Sequence, residues 1–500
     1  MRICLINPPR ITYGVRPGIF QPLGLAYVAA VLEENHEVSI IDAPAEGWKN
    51  LQVNKSKYYL GLRYDEIAYK VKRFSPDIVG ITVPFTQGSE SAFEVAKVVK
   101  GIDRNIIVIL GGPHASVRPI DCLKREGVDF VVIGEGEHTI AELIRVVEQG
   151  AQRDKLKDVM GIAYLEDGEP IITTPRPLVK DLDSLSLPAR HLLPMDAYFV
   201  AAKKGGLAPR AAISEPWATV ITSRGCPYNC VFCSIHLVMG RKYRVRSPEN
   251  VVTEIKQLVN EYGVKQVDFE DDNLALDKSR MEQICDLMIE KGLAIEWYTP
   301  NGVRADALDE NLLMKMKRSG CKELWFSPES GVQRVVDDII RKRLDLKTVE
   351  EAVTLCKKLG IRVNCYFVMG LIGETKEDIR QTIEYARKLK HLGVSYLGMA
   401  IATPYYGTEM YEQAREKGFL LEQFSEEKLN TMEPLIETPE FTAQELHELY
   451  MQAQIINPLL TRAKFNRQVI TFAMKNPGKT VGSILKRAKY VIRAKLVREK

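Results

Sequence analysis

The chain has 500 residues, 45% of them apolar and 27% charged, which supplies several domain cores and excludes a disordered or fibrous protein. No run reaches about 18 consecutive apolar residues, and Met1 leads directly into a strand-like run, so neither a membrane span nor a signal peptide is expected. The net charge of +4 is uneven: residues 461–500 carry twelve Lys or Arg and one acid, giving +11, so residues 1–460 sum to −7.

In chain order, residues 1–150 alternate short Val/Ile-rich runs with helical patterns. The runs are RICLINPP (2–9), EVSIID (37–42), DIVGITVPF (77–85), NIIVILGGP (105–113) and DFVVIGEGE (129–137). Near-continuous apolar runs of this length suit strands buried on both faces of a parallel sheet. Helical patterns such as GLAYVAAVLEEN and SAFEVAKVVKGI lie between them, which predicts a Rossmann-like doubly wound α/β domain. Residues 151–215 read as a connector, with a hairpin turning at Asp167-Gly168 and an ordered segment through DLDSLSLPARHLLPMDAYF.

A second rhythm runs from 216 to 420. Strands are expected at ATVITS, QVDFED, AIEWYT, ELWFSP, RVNCYFVM and SYLGMAIA, interleaved with helices such as ENVVTEIKQLVNEYG and KEDIRQTIEYARKLKHLG. Six β/α units make a partial (β/α)6 barrel, whose chemistry belongs at the C-terminal strand ends. The notable residues fall there: a cysteine loop, EDDN (270–273), NGVRAD (301–306), PESG (328–331) and GLIGE (370–374). Residues 421–500 read as a helical C-terminal region.

The cysteine loop is TSRGCPYNCVFCSIH, with Cys226, Cys230 and Cys233 inside eight residues of a chain that has nine cysteines. Without export, clustered cysteines indicate metal or redox chemistry more than disulfides. Three thiolates leave one iron of a cubane open, as a catalytic metal requires. Zinc with His236 as fourth ligand, or plain buried cysteines, are the alternatives. Gly225 and Pro227 suit a loop wrapped closely around a cluster.

CPYNCVFC resembles the C-x-x-x-C-x-x-C signature of radical S-adenosylmethionine (radical SAM) enzymes, and the resemblance extends over about 215–420. It implies a 4Fe-4S cluster on Cys226, Cys230 and Cys233, whose open iron binds the amino and carboxylate groups of S-adenosylmethionine. It implies Phe232 against adenine, and Asp271 or Asp272 at the methionine amino end, although EDDN departs from the commoner Gly-Gly-Glu. Asn301 and Arg304 would contact ribose and carboxylate, Glu329 the ribose hydroxyls, and VMGLIGE the adenine.

The first domain, read alone, is a ligand domain or an interaction module. It has no G-x-G-x-x-G after its first strand, which counts against a nicotinamide dinucleotide. Placed before such a barrel, QPLGLAYVAAVLEENHEVSIID, GGPHAS and GEGE resemble the cobalamin-binding domain of cobalamin-dependent radical SAM enzymes. The implied corrinoid contacts are Val83, Phe85, Thr86, Gly111, Gly112, Pro113, His114, Gly134, Glu135 and Gly136. The D-x-H-x-x-G motif is absent, so base-off cobalamin without a protein histidine on cobalt is expected; His114 is the candidate substitute.

The resemblance implies C-methylation of an unactivated carbon, on a lipid or isoprenoid if the basic tail is a guide. Radical cyclisation, oxidation or rearrangement of a lipid or tetrapyrrole is the alternative reading. A non-catalytic cobalamin or cluster sensor is a further one, disfavoured by intact strand-end motifs. A methylthiotransferase would carry other flanking domains. The implied partners are a small-molecule or lipid substrate and an electron donor such as flavodoxin or ferredoxin. The expected location is cytoplasmic. Val481, Ile484, Leu485, Ala488, Ile492 and Leu496 form an apolar stripe in the tail, with Lys486, Lys489, Arg493 and Lys495 largely off it. Such a helix can lie on an anionic membrane or pack on the barrel; nucleic acid is the less favoured basic-patch reading.

Overall fold

The computed structural model describes residues 1–150, 153–207, 216–454 and 456. The basic tail therefore lies outside the described residues.

Seven strands form the first sheet, in the order Glu169–Ile172, Ile162–Glu166, Phe130–Val132, Ile107–Gly111, Ile78–Thr82, Arg2–Asn7, Glu37–Asp42. Five pair in parallel and correspond to the five expected runs. The hairpin assigned to the connector is instead part of this sheet, adding two antiparallel strands beyond Phe130–Val132. Its two-residue turn is left-handed at both Asp167 (φ 52°) and Gly168 (φ 88°), matching the twist of a tight hairpin. A three-stranded antiparallel sheet from Arg10–Tyr13, Lys57–Leu60 and Leu51–Asn54 covers one corner and had no expected counterpart. The strand order reverses between Arg2–Asn7 and Ile78–Thr82, which opens a ligand crevice at their carboxyl ends.

The second sheet has six parallel strands in sequence order: Trp217–Val220, Gln266–Phe269, Glu296–Val303, Cys321–Glu329, Arg362–Met369 and Tyr396–Ile401. No pairing joins the first described strand to the last, so the barrel is open. Its helices carry sequence-encoded ends. Pro248–Tyr262 starts at Ser247, whose side chain accepts from the Asn250 amide, and stops at Gly263 in left-handed geometry (φ 62°). Lys376–Leu392 opens with a Thr375–Asp378 capping box. Outward residues such as Trp297, Leu324, Phe326, Cys365 and Phe367 make one large core with these helices.

Among the described residues, the expected helical C-terminal region is not uniformly helical. Residues 421–441 form turns and two isolated bridges, Leu420 with Ile436 and Thr438 with Phe441, before the helix Ala443–Gln454. No described helix is long and apolar enough to cross a membrane.

The two sheets are joined by buried polar contacts. Glu254 pairs with Arg190 at 2.7 Å and Arg246 at 2.5 Å, and all three side chains are at most 4% exposed. Gln21, from the first domain, accepts from Arg190 and from the Thr219 amide. Truncating one member of this buried triad would strand its partners as uncompensated buried charges.

Candidate functional site

The cluster loop follows the strand Trp217–Val220. Gly225 has φ 83°, and a Cβ there would lie 2.5 Å from the Lys242 carbonyl oxygen and 2.9 Å from those of Gly240 and Met239. Only glycine allows the loop to fold back so closely. The Cys226 amide donates to Gly240, and the Val231 amide to Ile340. All three cysteines are half-buried and free, and they lie close enough that Cys226 raises the thiol pKa of Cys230 and both raise that of Cys233. Burial pushes Cys233 up to about 12. Lys342 and Arg304 act in the opposite direction on Cys226 and Cys230, providing the cationic surroundings that thiolate ligands need.

The barrel strand ends face this loop. Asp272 is pushed up to about 7, by burial first and then by the charge of Asp271. Asp271 itself is fully committed inside the protein. It accepts from the Thr222 amide (3.1 Å), the Thr222 hydroxyl (2.7 Å) and the Ser223 hydroxyl (2.5 Å). It therefore fixes the start of the cluster loop, and Asp272 is the less engaged of the two carboxylates. The next side chain, Asn273, is buried with neither amide atom hydrogen-bonded among the described residues.

Arg304 is largely engaged by protein groups. Its guanidinium grips Asp306 with two hydrogen bonds, donates to the carbonyls of Lys342 (2.9 Å) and Arg343 (3.2 Å), and lies 3.9 Å from the Tyr228 ring centre. Four of its five N–H donors go to Asp306 and to the carbonyls of residues 342–343, which it holds against the cluster loop. Asn301 is exposed at the mouth and donates to the Glu270 carbonyl (2.8 Å).

Glu329 ends its strand at φ 66°, beside a register irregularity, and accepts from Lys342 at 2.8 Å. Arg341 and Arg343 also have positive φ, 64° and 51°, and they follow a π-helical turn at Val335–Ile339. Strained non-glycine residues persist where the surroundings over-determine them, commonly at ligand sites. Lys342 was missed in sequence because Arg341-Lys342-Arg343 reads as ordinary surface charge. Phe232 is half-buried against the barrel core. Glu374, in GLIGE, accepts from the Gly370 and Leu371 amides, fixing that loop, and burial pushes it up to about 8.

At the crevice of the first sheet, Val83 is buried and Phe85 is 49% exposed. Arg10 lies between the rings of Phe20 and Phe85 (4.7 and 4.6 Å), and burial alone lowers it to about 10. Gly134, at φ 79°, has open space where a Cβ would go, and one at Gly111 would meet only the Val132 side chain, at 3.9 Å. These bare backbones leave room for a large flat ligand. Gly112, by contrast, is closed against Thr82, and Gly136 packs on Val28 and Val132. Pro113 opens the short helix Pro113–Val117.

His114 is 3% exposed, with Nδ1 3.0 Å from the Thr86 hydroxyl. Burial, aided by Arg118, pushes it down to about 4, so it is neutral and turned into the fold. Glu135 corrects another expectation. It accepts from Arg224, Arg244 and the Val179 amide, so it faces the barrel and not the crevice.

Two family models match in this order: the B12 binding domain over residues 9–144 and the radical SAM superfamily over 220–386. An uncharacterized methyltransferase of Pyrococcus horikoshii is 36% identical over 463 residues, covering 91% of this chain and 92% of the relative. The chain belongs to the cobalamin-binding radical SAM family. A second family member, the cytidylyl-2-hydroxyethylphosphonate methyltransferase of Streptomyces wedmorensis, is 30% identical, covering 93% of this chain and 89% of its own. The fold matches the cobalamin-dependent radical enzyme OxsB with aqua-cobalamin bound, at TM-score 0.69 and 17% identity, over all of this chain and 71% of that one. This family member is an enzyme of the methyltransferase type whose cofactors are a 4Fe-4S cluster, S-adenosylmethionine and cobalamin. The residues present fit them. Three clustered thiols face two cations, the unpaired Asn273 amide and Asp272 offer polar contacts beside them, and the open glycine backbones offer a corrinoid crevice.

Proposed function

We propose that this enzyme transfers a methyl group to an unactivated carbon of a small molecule held where the two sets of strand ends meet. The observation that carries the reading is their junction. The short helix His236–Met239, just after the cluster loop, packs on Pro113–Val117, just after the open glycine of the crevice. When bound, the cluster and S-adenosylmethionine supply radical chemistry and the corrinoid supplies a transferable methyl group.

The protein's part is positioning. Cys226, Cys230 and Cys233 hold the cluster, with Lys342 and Arg304 supplying positive charge around the thiolates. Asp272, Asn273 and Asn301 contact S-adenosylmethionine, Glu329 accepts from its ribose, and Phe232 covers the adenine. Val83, Phe85, Thr86, Gly111 and Gly134 line the corrinoid face, with no histidine on cobalt. The two relatives named above are methyltransferases, which favours methyl transfer over cyclisation. A lipid or isoprenoid substrate, with the tail on an anionic membrane, and a flavodoxin or ferredoxin donor extend this reading. The tail's charge and stripe support the membrane part.

The test is anaerobic turnover with methyl-deuterated S-adenosylmethionine and candidate small-molecule and lipid extracts. A product gaining the labelled methyl supports the proposal. Cofactor cleavage with a product that gains no carbon rejects methylation and points to cyclisation or oxidation.

A further inference from the structure

The segment Gly134-Glu135-Gly136-Glu137 and the arginines at the base of the cluster loop make one buried charged unit. Arg224 and Arg244 sit directly opposite each other in the two-stranded ribbon that closes that base. Like charges directly opposite on a ribbon repel, more so when desolvated. Glu135 lies between them, 3.1 Å from Arg224 and 2.8 Å from Arg244, and Glu137 takes the other end of Arg224 at 2.6 Å. All four side chains are at most 9% exposed. Arg244 also donates to the Met239 carbonyl (2.8 Å), one of the three oxygens that press on Gly225.

The acids are continuous with the crevice. The Gly134 amide donates to the Ser116 hydroxyl (2.9 Å), which donates to the Gly112 carbonyl (2.9 Å). A contact at the open backbone of Gly134 therefore acts one residue from the acid that closes the ribbon.

We infer that Glu135 and Glu137 are positioning residues that set the cluster loop from the corrinoid domain, so that the two cofactor sites are energetically coupled. Ordering Gly134 by a corrinoid fixes Glu135, which fixes both strands of the ribbon and hence Gly225 and Cys226. Linkage makes the effect reciprocal: a bound cluster raises corrinoid affinity by the factor by which corrinoid favours the cluster. Mere glue between domains would strengthen the junction without tying one affinity to the other.

The experiment measures hydroxocobalamin binding by absorbance in the full chain, cluster-reconstituted and cluster-stripped. The wild type should bind about 5-fold or more tighter with its cluster, within the usual range of coupling between sites. Glu135→Gln, nearly isosteric, should bring that ratio close to one and alter the spin-resonance spectrum of the reduced cluster. Glu135→Asp, which keeps the charge, should restore part of the ratio. Glu137→Gln leaves the Arg244 pair intact and should give an intermediate ratio; if Glu135→Gln does not fold, this variant decides. A wild-type ratio of one overturns the inference, as does a folded Glu135→Gln or Glu137→Gln with the wild-type ratio and spectrum.

Discussion

Asp42 is a buried acid without a cationic partner among the described residues, and its replacement by Asn tests how the corrinoid sheet responds to pH. The carboxyl ends the edge strand Glu37–Asp42, is fully buried, and accepts from the Tyr198 hydroxyl, Asn7 Nδ2 (2.9 Å) and the Ala45 amide (3.5 Å). These donors are neutral, so burial dominates and Asp42 is pushed up from 3.8 to about 7. A raised acid is protonated in the fold while the unfolded chain has already ionised. Stability is then fullest below about pH 4 and is lost as pH rises toward about pH 7. At about 1.4 kcal/mol per pH unit, the loss across that window is of order 4 kcal/mol. Asp42→Asn cannot ionise, so it should show little of this dependence and gain roughly 2–3 kcal/mol on the wild type between about pH 5 and pH 7. Urea unfolding read by pulsed hydrogen exchange over Arg2–Asn7 and Glu37–Asp42 reports this sheet separately from the barrel. Parallel pH profiles for the two proteins would refute the assignment of a protonated Asp42.

The remaining predictions concern the cofactor sites and the tail. Ala at Cys226, Cys230 or Cys233 should abolish S-adenosylmethionine cleavage and cut iron well below the four per chain expected of the reconstituted wild type, measured with sulfide; bound zinc without iron uptake would contradict the site. His114→Ala should leave the cob(II)alamin spin-resonance spectrum unchanged, because the ring is buried and held by Thr86; loss of a nitrogen coupling would show an axial histidine. Sedimentation with anionic liposomes should retain the full chain and lose one truncated after Pro458, with high salt releasing it, since each basic group near such a surface contributes about 1 kcal/mol before screening. Equal behaviour of the two chains would end the membrane reading.

The sequence alone determined the parallel strands of the two sheets, because a period of apolar runs and helical stripes is a local property. All six barrel strands and the five parallel strands of the first sheet fall on the expected runs. The cluster cysteines were legible for the same reason: their spacing is local, and a three-residue gap followed by a two-residue gap needs no tertiary contact to be seen. Only the tertiary structure decided which charged residues at the strand ends are taken up by protein partners. Asp271, Arg304 and Glu135 have the right chemistry at the right strand ends, yet each is engaged by partners distant in sequence: Thr222 and Ser223; Lys342 and Arg343, beside the local Asp306; and Arg224 and Arg244. Lys342 shows the reverse, an unremarkable residue in a basic run that strained backbone turns inward to meet Glu329. A carboxylate or guanidinium carries no local mark of its partner, because ion pairing is set by which strand ends converge in space. Periodicity and motif spacing are written along the chain, whereas the satisfaction of each buried charge is settled only when distant segments meet.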